Sequence, residues 1–229
     1  MTTIYSRALA TGALALLTFT TGAAAQAPSS AILNKLEVQK LVTSAQPGDN
    51  VKLSGHFTAL AERYEAEAKQ HTAMSRASVG NPNRQMATGM SAHCKRLADL
   101  NTQSAATLRE LAAHHKKLAG GAPSLAPHDS ARFQGGAGAP SPTKQDLNAL
   151  AAKTSTAADH RALEEYFLTA AKRYTADADE HVAMAQAYRG TKIAAAAAHC
   201  DRIVMLSRDA AKEATAAATM HKDLAGIGR

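Results

Sequence analysis

Apolar residues recur at three- and four-residue intervals through long stretches of the chain, with polar positions filling the opposite face, which is the period of an amphipathic helix. Phe57, Leu60, Tyr64, His71 and Met74 fall on one such stripe, and Leu97, Leu100, Leu108, Leu111, His115 and Leu118 on another. The spacing predicts long helices from about Asn50 to Val79, Arg84 to Leu118, Asp159 to Tyr188 and Lys192 to Leu224. Gly80-Asn81-Pro82-Asn83 and Gly190 stop the first helix of each pair, and Gly120-Gly121 and Gly226 stop the second. Asp49 and Asp159 stand where an N-cap is wanted. Shorter helices, around Ala31 to Ser44 and Lys144 to Lys153, precede the two pairs and are expected to lie across the ends of the assembly.

The two halves of this pattern match residue by residue. Phe57 pairs with Phe167, Arg63 with Arg173, Tyr64 with Tyr174, His71 with His181 and Met74 with Met184. Further on, His93-Cys94 pairs with His199-Cys200, Leu100 with Leu206, His115 with His221, and Leu118-Ala119-Gly120 with Leu224-Ala225-Gly226. The offset falls from 110 to 106 where "GNPNRQMATGM" is shortened to "GTKIAAA". A length change of that kind belongs in a turn, so each copy reads as a helical hairpin.

A hairpin of this length cannot bury its apolar stripes alone. The expectation is an all-α fold, a four-helix bundle made from two tandem hairpin repeats; the alternative is that each hairpin pairs with another chain. The division expected is a leader over residues 1–25, a first repeat over 26–120, a Gly/Pro/Ser-rich linker over 121–142 and a second repeat over 143–229. His128 in the linker is expected to be solvated.

The leader is read from Arg7, the apolar run from Ala8 to about Thr20, and Ala23-Ala24-Ala25, which together form a secretory signal cut after Ala25 or Ala27. No later run approaches the roughly 18 apolar residues of a spanning helix, so a periplasmic or secreted location is expected. Composition then narrows the core: aromatic residues make up 4% of the chain and Trp is absent. Helices must therefore approach closely through Ala. The formal charge is +7, or one less once Arg7 is removed. Lys and Arg are interleaved with Asp and Glu along the helices, a solvated face rather than a nucleic-acid footprint. The partners that remain are an anionic envelope surface or another envelope protein, and the chain itself as monomer or homodimer.

Candidate chemistry lies with the matched histidines. His71 and His93 stand about equally far from the turn of their hairpin, as do His181 and His199 from theirs. Turns at the same end would bring the four into one layer; turns at opposite ends would leave two layers of two. Glu67 and Asp177 lie four residues before the first histidine of each pair, and Met74 and Met184 three residues after it, all on the face the histidine shares. Imidazole with thioether or thiolate suits copper or zinc, and imidazole with carboxylate suits zinc, iron or manganese. The same residues also suit buried, hydrogen-bonded histidines with no metal. His115 and His221 are placed to favour a helix C-terminus.

Cys94 and Cys200 are the only cysteines. In an oxidising compartment a Cys94–Cys200 disulfide is expected, closing a loop of about 100 residues and contributing roughly 4 to 5 kcal/mol; the rivals are thiolate ligands to copper and inert buried thiols. Arg63-Tyr64 and Arg173-Tyr174 read as packed rings with solvated neighbours. No nucleophile elbow, phosphate loop, C-x-x-C-H or H-E-x-x-H occurs, so an enzyme is not expected. Haem held by axial His or Met is a third reading a bundle allows, though the chain is short of aromatic pocket walls.

With its A-H-C and L-A-x-x-H landmarks and the Asp159-His160 opening, the chain resembles a group of uncharacterised secreted bacterial helical-hairpin proteins. The likeness covers residues 49–120 and 159–226, and the first copy departs from it with Asp49-Asn50. The resemblance implies the helical architecture and export, and brings no catalytic or ligand residue. The function expected is a non-enzymatic exported bundle that binds or buffers copper or zinc at the histidine layer; the alternative is an envelope structural or adaptor module with buried histidines, a disulfide and no metal.

Overall fold

A computed structural model describes residues 32–44, 46–120 and 143–227. The leader, its cleavage site and the 121–142 linker with His128 lie outside the described residues. Within them the chain is all-helical: α1 (Lys35–Ser44), α2 (Pro47–Ser78), α3 (Arg84–Leu118), α4 (Lys144–Lys153), α5 (Ala157–Arg189) and α6 (Ala196–Ile227). No helix among them is long and apolar enough to cross a membrane.

The ends follow local chemistry. Gln46 caps α2 by backbone geometry with Pro47 opening the helix, and Asn83 caps α3 by accepting from the Met86 N–H. Thr156 caps α5, and Asp159, expected as the cap, instead closes a capping box from the third position. Asp49 likewise sits in the first turn of α2, where it accepts from the Ser44 hydroxyl. Gly120 adopts φ 69° just past α3, the left-handed geometry that lets a chain leave a helix.

The predicted stripe on α2 is the core: Phe57, Leu60, Tyr64, His71 and Met74 are all buried. On α3, Leu97, Leu108, Leu111 and His115 are buried, whereas Leu100 is half-buried and Leu118 exposed. The helices α2 and α3 pack along their length, as do α5 and α6, and α3 against α6 joins the two hairpins. Alanines make the approach close, among them Ala105 and Ala112 on α3 and Ala210, Ala214 and Ala217 on α6. The hairpins run antiparallel. Met90, near the start of α3, meets His221 near the end of α6, and His115 at the end of α3 meets Tyr188 at the end of α5. The turn of each hairpin therefore lies at the open end of the other.

The short helices do not cross the ends as expected. Both α1 and α4 pack on α2 and α5 together, filling the space between those helices. Val38 and Val42 anchor α1, and Leu147 and Ala151 anchor α4. Asn81 ties the first turn to α4 by donating to the Ala151 and Thr154 carbonyls at 3.4 and 3.3 Å.

Between α1 and α4, α2 and α5 meet through long side chains. Arg63 donates to Asp177 at 2.6 Å, and Arg173 to Glu67 at 2.7 Å. The Tyr64 hydroxyl donates to Asp177 at 2.8 Å, and that of Tyr174 to Glu67 at 3.1 Å. The two tyrosine rings stack with centroids 6.5 Å apart, and each carries its neighbouring guanidinium 5.1 Å above its face. Ser207 and Asn101 complete the arrangement from the second helices, 3.3 Å from the Tyr64 hydroxyl and 2.8 Å from that of Tyr174. The arginines read as solvated from the sequence are thus the middle of a clasp. Burial alone would depress Arg63, but Asp177, Tyr64 and Glu67 hold it above its ordinary pKa. Burial lifts Glu67 above the usual carboxylate range despite Arg173 and Arg63.

Removing one member leaves its partners unpaired. Asp177→Ala strips both Arg63 and Tyr64 and is expected to destabilise the fold by about 2–3 kcal/mol, below the fully buried case because Arg63 is partly exposed. In urea denaturation the double variant Arg63→Met/Asp177→Leu should recover most of that loss; additive effects of the two changes would show that the pair is not coupled.

Candidate functional site at the ends of the bundle

The antiparallel hairpins decide where the histidines go. His71 on α2 lies against Phe167 on α5, whose ring is 6.3 Å away and nearly parallel. His181 lies fourteen residues further along α5, roughly 20 Å away at 1.5 Å per residue. The four-histidine layer does not form; of the two arrangements considered, the structure has the split one. His71 and His93 occupy one end, which also receives His160 and His221. His181 and His199 occupy the other, with His56, His114 and His115.

The expected co-ligands are otherwise engaged. Glu67 and Asp177 face arginine and tyrosine in the central clasp. Met74 and Met184 are core side chains, 0% and 1% exposed. His93 is paired through Nδ1 with Glu213 at 2.6 Å, and His199 through Nδ1 with Glu110 at 3.5 Å. Among the described residues, no three His, Cys, Asp or Glu side chains converge as a metal site.

The cysteines are free and buried, and the expected disulfide is not formed. His93 meets Glu213, which places Cys94 level with that part of α6; Cys200 lies thirteen residues earlier, roughly 20 Å away. Burial pushes both thiols up to about 12.

Matched histidines at the helix ends carry different partners. Asn50 donates its amide to the Gln46 carbonyl at 3.1 Å, so its Oδ1 accepts from His115 Nδ1 at 2.7 Å. That leaves His115 Nε2 to accept from the Tyr188 hydroxyl at 2.7 Å. His115 also stacks on Phe57 with centroids 5.5 Å apart. In the other copy His160 replaces Asn50, and its Nδ1 lies 3.1 Å from His221 Nδ1. Where His115 meets a tyrosine, His221 Nε2 meets the Met90 sulfur at 3.4 Å, and Cys94 Sγ lies 3.9 Å from the same sulfur. Both histidines, read from the sequence as favourable charges at a helix C-terminus, are buried without charge.

Burial is the dominant cause in every case. It lowers His71 and His181 to about 3, with Arg173 and Arg63 respectively adding to the effect. His56 falls to about 3 by burial and then by His181 and Arg63, and His221 to about 3 by burial and then by His160 and His93. His115 falls to about 4 by burial, then by His114 and His56. These imidazoles are neutral at pH 7. Among the described residues, four buried ring nitrogens make no hydrogen bond to protein: His56 Nε2, His114 Nε2, and the matched Nδ1 atoms of His71 and His181.

Sequence reasoning singled out neither His160 nor Met90 and assigned His221 only a structural place. His160 was legible as the opening of the second copy, but Met90 has no sulfur counterpart, because Ala196 stands at its place after the shortened turn. Comparison with protein families, with curated proteins and with solved structures gives no match.

The depressed histidines give the stability a definite pH dependence. Above about pH 6.5 folded and unfolded chains both hold them neutral; below it the unfolded chain binds protons that the native chain refuses until about pH 3–4. Stability is therefore present above pH 6.5 and lost as pH falls, at up to roughly 1.4 kcal/mol per unit for each histidine. Thermal melts should fall steeply between pH 6.5 and 4.5, and a flat profile there would show that the imidazoles are not held neutral. Thiol titration is the second check: native protein should be nearly unreactive, and unfolded, unreduced protein should show two free thiols per chain.

Proposed function

We propose that this chain is an exported, non-enzymatic protein that binds or buffers a transition metal, copper or zinc, with histidines at the ends of a four-helix bundle built from two copies of one hairpin. The observation that carries the reading is the pair of Nδ1 atoms on His71 and His181. Both rings are buried and neutral, and both leave the same nitrogen without a hydrogen-bond partner. A buried polar atom left unpaired is costly, and a neutral imidazole nitrogen is a ready ligand for copper or zinc. The leader and the interleaved surface charge support export and argue against a nucleic-acid partner; an anionic envelope surface or another envelope protein remains the partner class.

A second reading, an envelope structural or adaptor module, is favoured by the clasp and by the stacking of His71, His115 and His221 on phenylalanine rings. Those contacts fix the helices without any metal.

Elemental analysis of protein isolated from the cell envelope without chelators separates the two. Copper or zinc near one per chain or more, reduced by His71→Ala or His181→Ala, is the expected result. Protein that comes out metal-free and takes up neither copper nor zinc in titration would leave the structural module.

A further inference from the structure

The end of the bundle that holds His221 has a thioether its counterpart lacks: Met90 stands where the matched position is Ala196. His221 Nε2, Met90 Sδ and Cys94 Sγ come from α6 and α3, and all three side chains are 0% exposed. Their separations are 3.4 Å from nitrogen to thioether and 3.9 Å from thioether to thiol. A metal held at about 2.0 Å from nitrogen and about 2.3 Å from sulfur, with angles between trigonal and tetrahedral, sets N···S at about 3.5–3.7 Å and S···S at about 3.8–4.0 Å. The two sides that meet at the Met90 sulfur stand within a few tenths of an ångström of those values before any metal is present.

The second ring nitrogen of His221 is also accounted for. Its Nδ1 faces His160 Nδ1 at 3.1 Å, so one of the two must donate. When His221 donates, its proton is on Nδ1 and the Nε2 lone pair points at the Met90 sulfur. That is the outer-shell support that fixes the tautomer and aim of a metal-bound histidine, and here another histidine supplies it. Phe167 stacks on His221 at 5.7 Å with an angle of 7°, which holds the ring in plane. From these contacts we infer that His221, Met90 and Cys94 form a three-coordinate site for Cu(I), with His160 as the positioning residue. The inference rests on the reading that the chain binds a transition metal, and adds a specific Cu(I) site distinct from the His71 and His181 nitrogens.

The donor set and the charge both select copper(I) over zinc. Thioether and thiolate are soft ligands that suit Cu(I). On binding, the Cys94 S–H loses its proton to solvent and a copper-sulfur bond forms, with no electron transferred. One thiolate neutralises Cu(I) and leaves the buried site uncharged. Zn²⁺ would leave a net positive charge there, and no carboxylate completes the triangle. Beside the site the half-buried thioether of Met220, next to His221 in sequence, lies against Gly89, next to Met90, and a Cβ at residue 89 would collide with its sulfur.

The test is Cu(I) titration of the purified protein without oxygen, in competition with a Cu(I)-specific chelator, followed by copper X-ray absorption. The expected result is one Cu(I) per chain at this site, with nitrogen and sulfur in its shell. Met90→Leu, which keeps the volume, and Cys94→Ala should each weaken binding at least tenfold, while Cys200→Ala leaves it unchanged. His160→Asn, the residue at the matched position of the other copy, should weaken it less and leave the sulfur shell intact. A folded Met90→Leu/Cys94→Ala double variant with wild-type affinity, or a copper shell of nitrogen alone, would overturn the site while leaving metal binding elsewhere in the molecule. Wild-type protein that binds neither Cu(I) nor zinc would overturn both. The absorption spectrum of the wild type decides the matter even where a variant does not fold.

Discussion

Two arginines and two carboxylates set the distance between α2 and α5, and the rest of the molecule is arranged around that distance. The helices of each hairpin are rich in alanine and approach closely, but α2 and α5 have α1 and α4 between them on either side. Only long side chains reach across what remains. Arg63 and Arg173 do so in opposite directions, each ending on the carboxylate that follows the other's tyrosine. Because the carboxylates also accept from Tyr64 and Tyr174, the charges are neither bare nor free to slide. The clasp sets the antiparallel register of α2 and α5, and that register decides which residues meet at each end.

The ends then differ although their sequences match. At one, His115 lies between Asn50 and Tyr188 and every polar atom of its ring is satisfied. At the other, His221 lies between His160 and Met90, where one ring nitrogen faces sulfur. Three differences in a matched framework, His160 for Asn50, Met90 for Ala196 and Ser78 for Tyr188, separate the closed hydrogen-bond chain of one end from the nitrogen and sulfur lone pairs of the other. Burial does the rest by keeping the imidazoles unprotonated.

Much of the helical architecture was legible because it is local. The stripe from Phe57 to Met74, the stops at Gly80 and Gly190 and the start of α3 at Arg84 depend on residues a few places apart. The direction of one hairpin relative to the other depends on pairings more than a hundred residues apart, joined by a segment whose composition carries no directional information. The histidines were therefore recognised as a matched set without their final grouping. Glu67 and Asp177 illustrate a second limit: an inward carboxylate at i−4 from a histidine reads the same whether it faces a metal or an arginine of the other hairpin. The Arg-Tyr recurrence on that same stripe carried the answer. Met90 was illegible for the opposite reason, since it lies in the one stretch where the copies differ in length.

The separation of Cys94 and Cys200 makes the native fold and a bond between its own two cysteines mutually exclusive. In the unfolded chain nothing holds them apart, and an oxidant can join them into a loop that the antiparallel hairpins cannot accommodate. Once the helices pack, both thiols are buried, protonated and out of reach. Productive folding in an oxidising medium is thus a race between helix packing and thiol oxidation. The Ala-rich hairpins, whose contacts are largely short in sequence, favour the faster side of it.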